Sequence, residues 1–196
     1  METIEIQKSN VQAAFKAAGE NPEIQVCLRH LFGDIVEPEQ AQDNRPVTER
    51  IKSYEDACRE LGIKPIDTRV CNQVGDFILD DNTIAYMKLR TIVEALNECW
   101  KPEFTEGEWR YYPWFYLYTQ GELDNKEDSE KKERRIVDTG DYQTEFAGFG
   151  YADSVDAPSN TLADIGSRLC LRSIELAVYC GKQFIKLWAD FNLIRK

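Results

Sequence analysis

The ten residues from Trp109 to Tyr118, Trp-Arg-Tyr-Tyr-Pro-Trp-Phe-Tyr-Leu-Tyr, constrain the fold more than any other stretch of the chain. They are rich in strand formers, and side chains this large and apolar must find cover. Pro113 sits inside the run and cannot donate to a ladder, so an edge strand, or two strand pieces joined by a kink, is predicted. Alternation places Arg110, Tyr112, Trp114, Tyr116 and Tyr118 on one face and Trp109, Phe115 and Leu117 on the other. A single helix layer buries only one face. The other is left as a candidate recognition surface, because Tyr, Trp and Arg dominate interface energetics. The competing reading is a sheet covered on both sides, or aromatics packed under a charged loop.

The elements around this strand follow from hydrophobic period and capping chemistry. Ser9-Asn10-Val11-Gln12 reads as a capping box before a short helix with Val11, Ala14, Phe15 and Ala18 on one side, stopped at Gly19. Asn21-Pro22 opens a second helix, striped by Ile24, Cys27, Leu28, Leu31 and Phe32 and ended by Gly33. Residues 1–33 are therefore predicted to be a helical hairpin, residues 34–45 a polar linker, and residues 46–196 an α+β core. In that core Pro46 starts a helix closed by Gly62, Asp81 caps a long helix carrying Ala85, Leu89, Ile92, Val93, Leu96 and Trp100, and Ser173 caps a final helix running to 192. Strands are predicted at Trp109–Tyr118, Glu145–Ala152 and Ser167–Arg172, forming a small antiparallel sheet backed by the helices at 82–99 and 173–192. Gly148 and Gly150 read as bulge or close-packing positions. The run Glu122–Arg135 reads as a solvated loop or exposed helix.

Composition narrows the function. With 35 acids against 24 bases the formal charge is −11, which opposes nonspecific nucleic-acid binding. The acidity is distributed: Glu122–Arg135 holds six acids and five bases, so 29 of the acids and 19 of the bases lie elsewhere. Met1–Lys8 contains no apolar leader core, and no stretch approaches the roughly 18 uninterrupted apolar residues of a membrane span, so a cytoplasmic protein without membrane partners is expected. The six cysteines are widely spaced and form no C-x-x-C pair, arguing for reduced core thiols rather than zinc knuckles or a disulfide framework.

Chemistry-bearing motifs are sparse. His30 is the only histidine, and it lies beside the apolar stripe of its helix, as a solvated side chain does. Asp153, Asp156 and Asp164 fall between two predicted strands, where carboxylates can hold a hard cation, yet Asp, Ser, Asn and Pro also build ordinary turns. No phosphate-binding glycine loop is present, so no cofactor is expected.

Three stretches carry a resemblance: Glu49–Gly62, Ala85–Tyr118 with its Tyr-Tyr-Pro-Trp-Phe, and Gly166–Phe184. They resemble a family of uncharacterised proteins encoded by gut Bacteroidales phages and prophages, over roughly residues 46 to 193. The resemblance implies a phage or mobile-element origin and carries no catalytic or binding residue. Two functions are therefore expected in competition. One is a non-enzymatic accessory or virion-associated protein acting through protein–protein contact or self-association at Arg110, Tyr112, Trp114, Tyr116 and Tyr118, with Arg168 and Arg172 adding charge from a neighbouring strand. The other is a small enzyme, or a binder of nucleotides or single-stranded nucleic acid, using Asp153, Asp156, Asp164 and Arg168.

Overall fold

The computed structural model describes residues 7–18, 21, 24, 27–28, 31–32, 43–67, 73–74, 77–98, 100–103, 105, 107–158 and 167–196. The chain divides into two compact units, Met1–Asn44 and Arg45–Lys196. In the first, helix α1 spans Lys8–Ala17 with its cap at Gln7, which makes no side-chain cap bond, so Ser9 lies inside the helix rather than at its cap. Ile24, Cys27, Leu28, Leu31 and Phe32 are helical. Gly19, Pro22, His30, Gly33 and most of the predicted linker lie outside the described residues.

The second unit is α+β. The helix predicted from Pro46 to Leu61 is two pieces, α2 (Val47–Arg50) and α3 (Tyr54–Glu60), because the chain extends at Ile51 and restarts at a capping box on Ser53. There the Ser53 hydroxyl accepts from the Asp56 N–H at 3.1 Å while the Asp56 carboxylate accepts from the Ser53 N–H at 3.0 Å. Gly62, at φ +66°, ends α3. A two-residue pair, β1 (Gln73–Val74) and β2 (Phe77–Ile78), precedes α4 (Asp81–Leu96). Asp80 rather than Asp81 is the cap, accepting from the Thr83 N–H at 2.8 Å. Leu89, Ile92, Val93 and Leu96 of α4 are buried as the stripe predicts.

Strand β3 covers Trp109–Tyr118 and leads into two short helices, α5 (Gln120–Asp124) and α6 (Asp128–Glu133). Then come β4 (Val137–Asp138), β5 (Gly148–Pro158), a 3₁₀ turn at Ser167–Leu169, α7 (Ile174–Gln183) and α8 (Ile185–Asn192). The sheet is antiparallel in the order β3-β5-β4. Two strand expectations are corrected. β5 begins later than predicted and runs on through Asp153 and Asp156, because this segment pairs with the first half of β3. Ser167–Arg172 is not a strand: only Leu171 pairs, exchanging backbone bonds of 2.9 and 3.0 Å with Tyr111, and β4 is the third strand instead. The single final helix is also corrected, since it breaks at Phe184, where φ −109° and ψ 28° leave the helical region.

Helix α4 packs on α3 and α8, and α7 lies on the β3–β5 face. Gly181 permits that last contact: a Cβ there would stand 2.7 Å from the Pro113 Cβ and 2.8 Å from the Tyr151 Cδ2. Phe115 completes the seam, stacking on Phe149 at 4.8 Å and tilting against Trp188 at 5.3 Å. Among the described residues, no helix is long and apolar enough to cross a membrane.

Candidate interaction surface on strand β3

Burial along β3 does not alternate strictly, since Tyr112 and Pro113 are both buried and Trp109 is exposed, but Pro113 and Phe115 occupy the helix-packed side. The opposite side is only partly open. Trp114 and Tyr116 are each 48% exposed, whereas Arg110 (0%), Tyr112 and Tyr118 are buried, so those three do not contribute to an open surface. Each burial has a local cause. The Tyr111–Leu171 bridge lays the segment at Cys170 beside Arg110 and Tyr112. Burial accordingly pushes the Cys170 thiol up to about 11, against the opposing effects of the Arg110 charge and a Tyr112 contact.

At the other end the charged segment folds back over Tyr118. Lys126 Nζ lies 5.1 Å from the Tyr118 ring centroid, and the side chain of Ile136 would meet a Cβ on Gly150 at 2.8 Å. Gly150 thus serves close packing. Tyr116 leans on Tyr118 at 4.8 Å and donates its hydroxyl proton to Glu122 Oε1 at 3.2 Å. That carboxylate charge raises the Tyr116 pKa, while bonds from the Thr119 N–H and hydroxyl lower that of Glu122. Tyr116, Tyr118, Glu122, Lys126, Glu130 and Arg134 line a cleft of about 440 Å³.

The register shift between Trp114 and Phe115 leaves Ala152 as an extra residue in β5, the local twist expected of a bulge. It falls beside the two exposed aromatics. Among the described residues β3 is an edge strand: it pairs with β5 on one side, and on the other Tyr111 alone is bonded, to Leu171. Since the Tyr111 N–H and C=O point to that outer side, alternation turns those of Phe115 and Leu117 the same way. Among the described residues, no strand pairs with them there. Pro113, Trp114, Leu117 and Leu193 line a shallow cleft of about 360 Å³ along this edge.

The remaining predicted site residues lie elsewhere. Arg168 is exposed on the 3₁₀ turn and lines a separate cleft with Arg90, Trp100 and Lys101. Arg172 binds Glu98, and its N–H donates to the buried Asn97 side chain at 3.0 Å. Neither arginine joins Trp114 and Tyr116, which corrects the expectation of shared charge. Asp153 is exposed and caps its neighbour, accepting from the Ser154 N–H at 2.7 Å. The side chain of Asp156 and all of Asp164 lie outside the described residues. Among the described residues, no three His, Cys, Asp or Glu side chains converge as a metal site. Cys58, Cys170 and Cys180 are buried free thiols and Cys27 an exposed one.

The residue pattern could point to β3 as an edge, through Pro113, but not to which of its aromatics remain open. That depends on α5–α6 and the Leu171 bridge, which leave no period in the sequence. No protein-family model, curated protein or solved structure matches this chain.

Proposed function

We propose that the chain is a non-enzymatic accessory protein of a phage or mobile element, a role inside the virion included, that acts by binding protein along the outer edge of β3. The observation that carries this reading is the edge at Phe115 and Leu117, which no strand pairs with among the described residues, flanked by Trp114 and Tyr116, each 48% exposed. An extended partner segment can bond to the two outward-facing backbone positions while its side chains rest on the flanking aromatics. Pro113 supplies no N–H and confines such pairing to the second half of the strand. The partner is an extended strand of another protein or the same edge of a second copy. Buried reduced thiols at Cys58, Cys170 and Cys180 support a cytoplasmic setting.

The test is Trp114→Ala, read by sedimentation, by affinity for whichever protein partner is isolated, and by urea denaturation. A half-exposed anchor is expected to cost about 2 kcal/mol of association, roughly thirtyfold in Kd, with little change in the unfolding midpoint. A stability loss of about 3–5 kcal/mol with association unchanged is the signature of a core aromatic and defeats the proposal.

A further inference from the structure

A second cleft gathers positive charge in a chain of net charge −11. It has a volume of about 530 Å³ and lies between the end of α6 with the turn after it and the α7–α8 junction. Lys131, Lys132, Arg135, Lys182 and Lys186 line it, over a floor that includes Ile136, Phe184 and Leu187, and among the described residues no carboxylate takes part in the lining. Among the described residues little neutralises these cations. Lys131 stands 3.9 Å from the fully exposed Asp128 carboxylate, a spacing of little consequence in water. Lys182 lies 5.1 Å from the centroid of the Tyr151 ring. Lys132, Arg135 and Lys186 make no ion pair or side-chain hydrogen bond among the described residues.

The backbone at Arg135 is independent support. Helix α6 ends in a Schellman motif: the Ile136 N–H reaches the Lys131 carbonyl at 3.1 Å and the Arg135 N–H reaches the Lys132 carbonyl at 3.2 Å. Arg135 occupies the left-handed position at φ +52°. Glycine is the favoured residue there, as at Gly62 after α3, and a side chain with a Cβ is strained in that conformation. An arginine placed at this point, exposed and without a counter-charge among the described residues, adds a fifth cation to the cleft at a cost in folding stability.

We infer that this cleft binds a small polyphosphate anion. Five cations with no carboxylate among the described lining residues match a chain of several phosphates better than one monoanion, which would leave most of the charge uncompensated. Lysine ammonium groups act as mobile point charges suited to phosphate oxygens, without the planar fork that selects carboxylates. The volume admits a ligand of nucleotide size, and the apolar floor gives a ring or an alkyl group a place to rest. The source of the phosphate chain is either inorganic polyphosphate or a nucleoside polyphosphate.

The experiment is calorimetric titration of the full chain with sodium tripolyphosphate, magnesium-free ATP and orthophosphate, beside thermal unfolding of the wild type and Arg135→Gly. At about 50 mM salt tripolyphosphate should bind at least about tenfold tighter than orthophosphate, and its affinity should fall clearly at about 200 mM salt. ATP binding tighter than tripolyphosphate identifies a nucleotide source, and equal binding shows that the phosphate chain alone is read. Arg135→Gly should move two quantities in opposite directions. The melting temperature should rise by roughly 2–4 °C as the left-handed strain is relieved, and tripolyphosphate affinity should drop about tenfold as a charged contact is lost. The proposal is overturned by absence of tripolyphosphate binding at low salt, by a stabilised variant that binds as tightly as wild type, or by a destabilised one. The last result would give Arg135 a structural partner within the fold.

Discussion

Glu98 offers a perturbation whose opposing terms can be separated. It follows α4 in the left-handed conformation, φ +49°, with its N–H bonded to the Ala95 carbonyl at 3.0 Å. Its carboxylate accepts from Arg50 Nη2 at 2.7 Å and from Arg172 Nη2, and Arg50 also binds Glu60. The Glu98 side chain is 42% exposed, so each ion pair is credited with only about 0.5–1 kcal/mol. Against them stands about 1 kcal/mol of preference for glycine in this conformation. Glu98→Gln keeps the strain and loses the charge, and should destabilise by about 1 kcal/mol. Glu98→Gly loses the pairs but relieves the strain, and should lie within about 0.5 kcal/mol of wild type. For an m-value of about 2 kcal/mol/M, the glutamine variant's urea midpoint should fall by about 0.5 M while the glycine variant's scarcely moves.

Acid adds a second axis to the same experiment. The Arg172 hydrogen bond, with the Arg50 charge behind it, holds Glu98 below the ordinary carboxylate range. A depressed folded pKa means that the unfolded chain takes up the proton first. The ion-pair stabilisation is therefore complete above about pH 4.3 and disappears as pH falls through the lower folded value. The gap between wild type and Glu98→Gln should close over that descent. A gap independent of pH, or a glycine variant less stable than the glutamine one at neutral pH, refutes the reasoning.

Two further predictions concern the core. Burial pushes Tyr54, Tyr142 and Tyr179 each up to about 12, with the Asp190 contact adding to the effect at Tyr142, so all three stabilise the fold fully below the free tyrosine value near 10. That stability is lost as pH climbs through 12, and tyrosinate absorbance should rise together with unfolding rather than ahead of it. Gly181→Ala should lower stability by about 1–3 kcal/mol in urea, because the new methyl group meets both Pro113 and Tyr151 and neither can retreat without parting α7 from the sheet. An unchanged midpoint would show that this contact is loose.

Where burial has a period, the sequence reveals it. The α4 stripe at Leu89, Ile92, Val93 and Leu96 is buried as its spacing requires, and the aromatic run forms one edge strand around Pro113. Period fails where tertiary contacts replace it. Leu169 and Leu171 are both buried, as alternation implies, yet they achieve it from a 3₁₀ turn and a single bridge rather than a strand. Asp153, Ser154 and Asp156 have turn chemistry but extend because β3 offers them a ladder. β4, with two residues, is too short to leave a pattern. The break at Phe184 is hidden because apolar residues continue on both sides of it. The cationic cleft is hidden for a different reason: Lys131, Lys132 and Arg135 read as one solvated face and Lys182 and Lys186 as another, and only the fold sets them together.

Three helix ends in this unit share one backbone requirement and answer it differently. After α3 the left-handed residue is Gly62, where an added Cβ would meet none of the described residues within 4 Å, so backbone conformation accounts for the choice. After α4 it is Glu98, and the carboxylate that displaces glycine is matched by Arg50 and Arg172. After α6 it is Arg135, in the same conformation and with the same preference for glycine against it. Because the backbone cost is common to Glu98 and Arg135, what separates them is what the side chain reaches. For Glu98 the counter-charges lie inside the fold, and its removal should be felt as stability. For Arg135 no counter-charge is found among the described residues, and the charged residues that line the same cleft are lysines. A residue that costs backbone strain and meets no counter-charge among the described residues is better accounted for by an anion outside the chain.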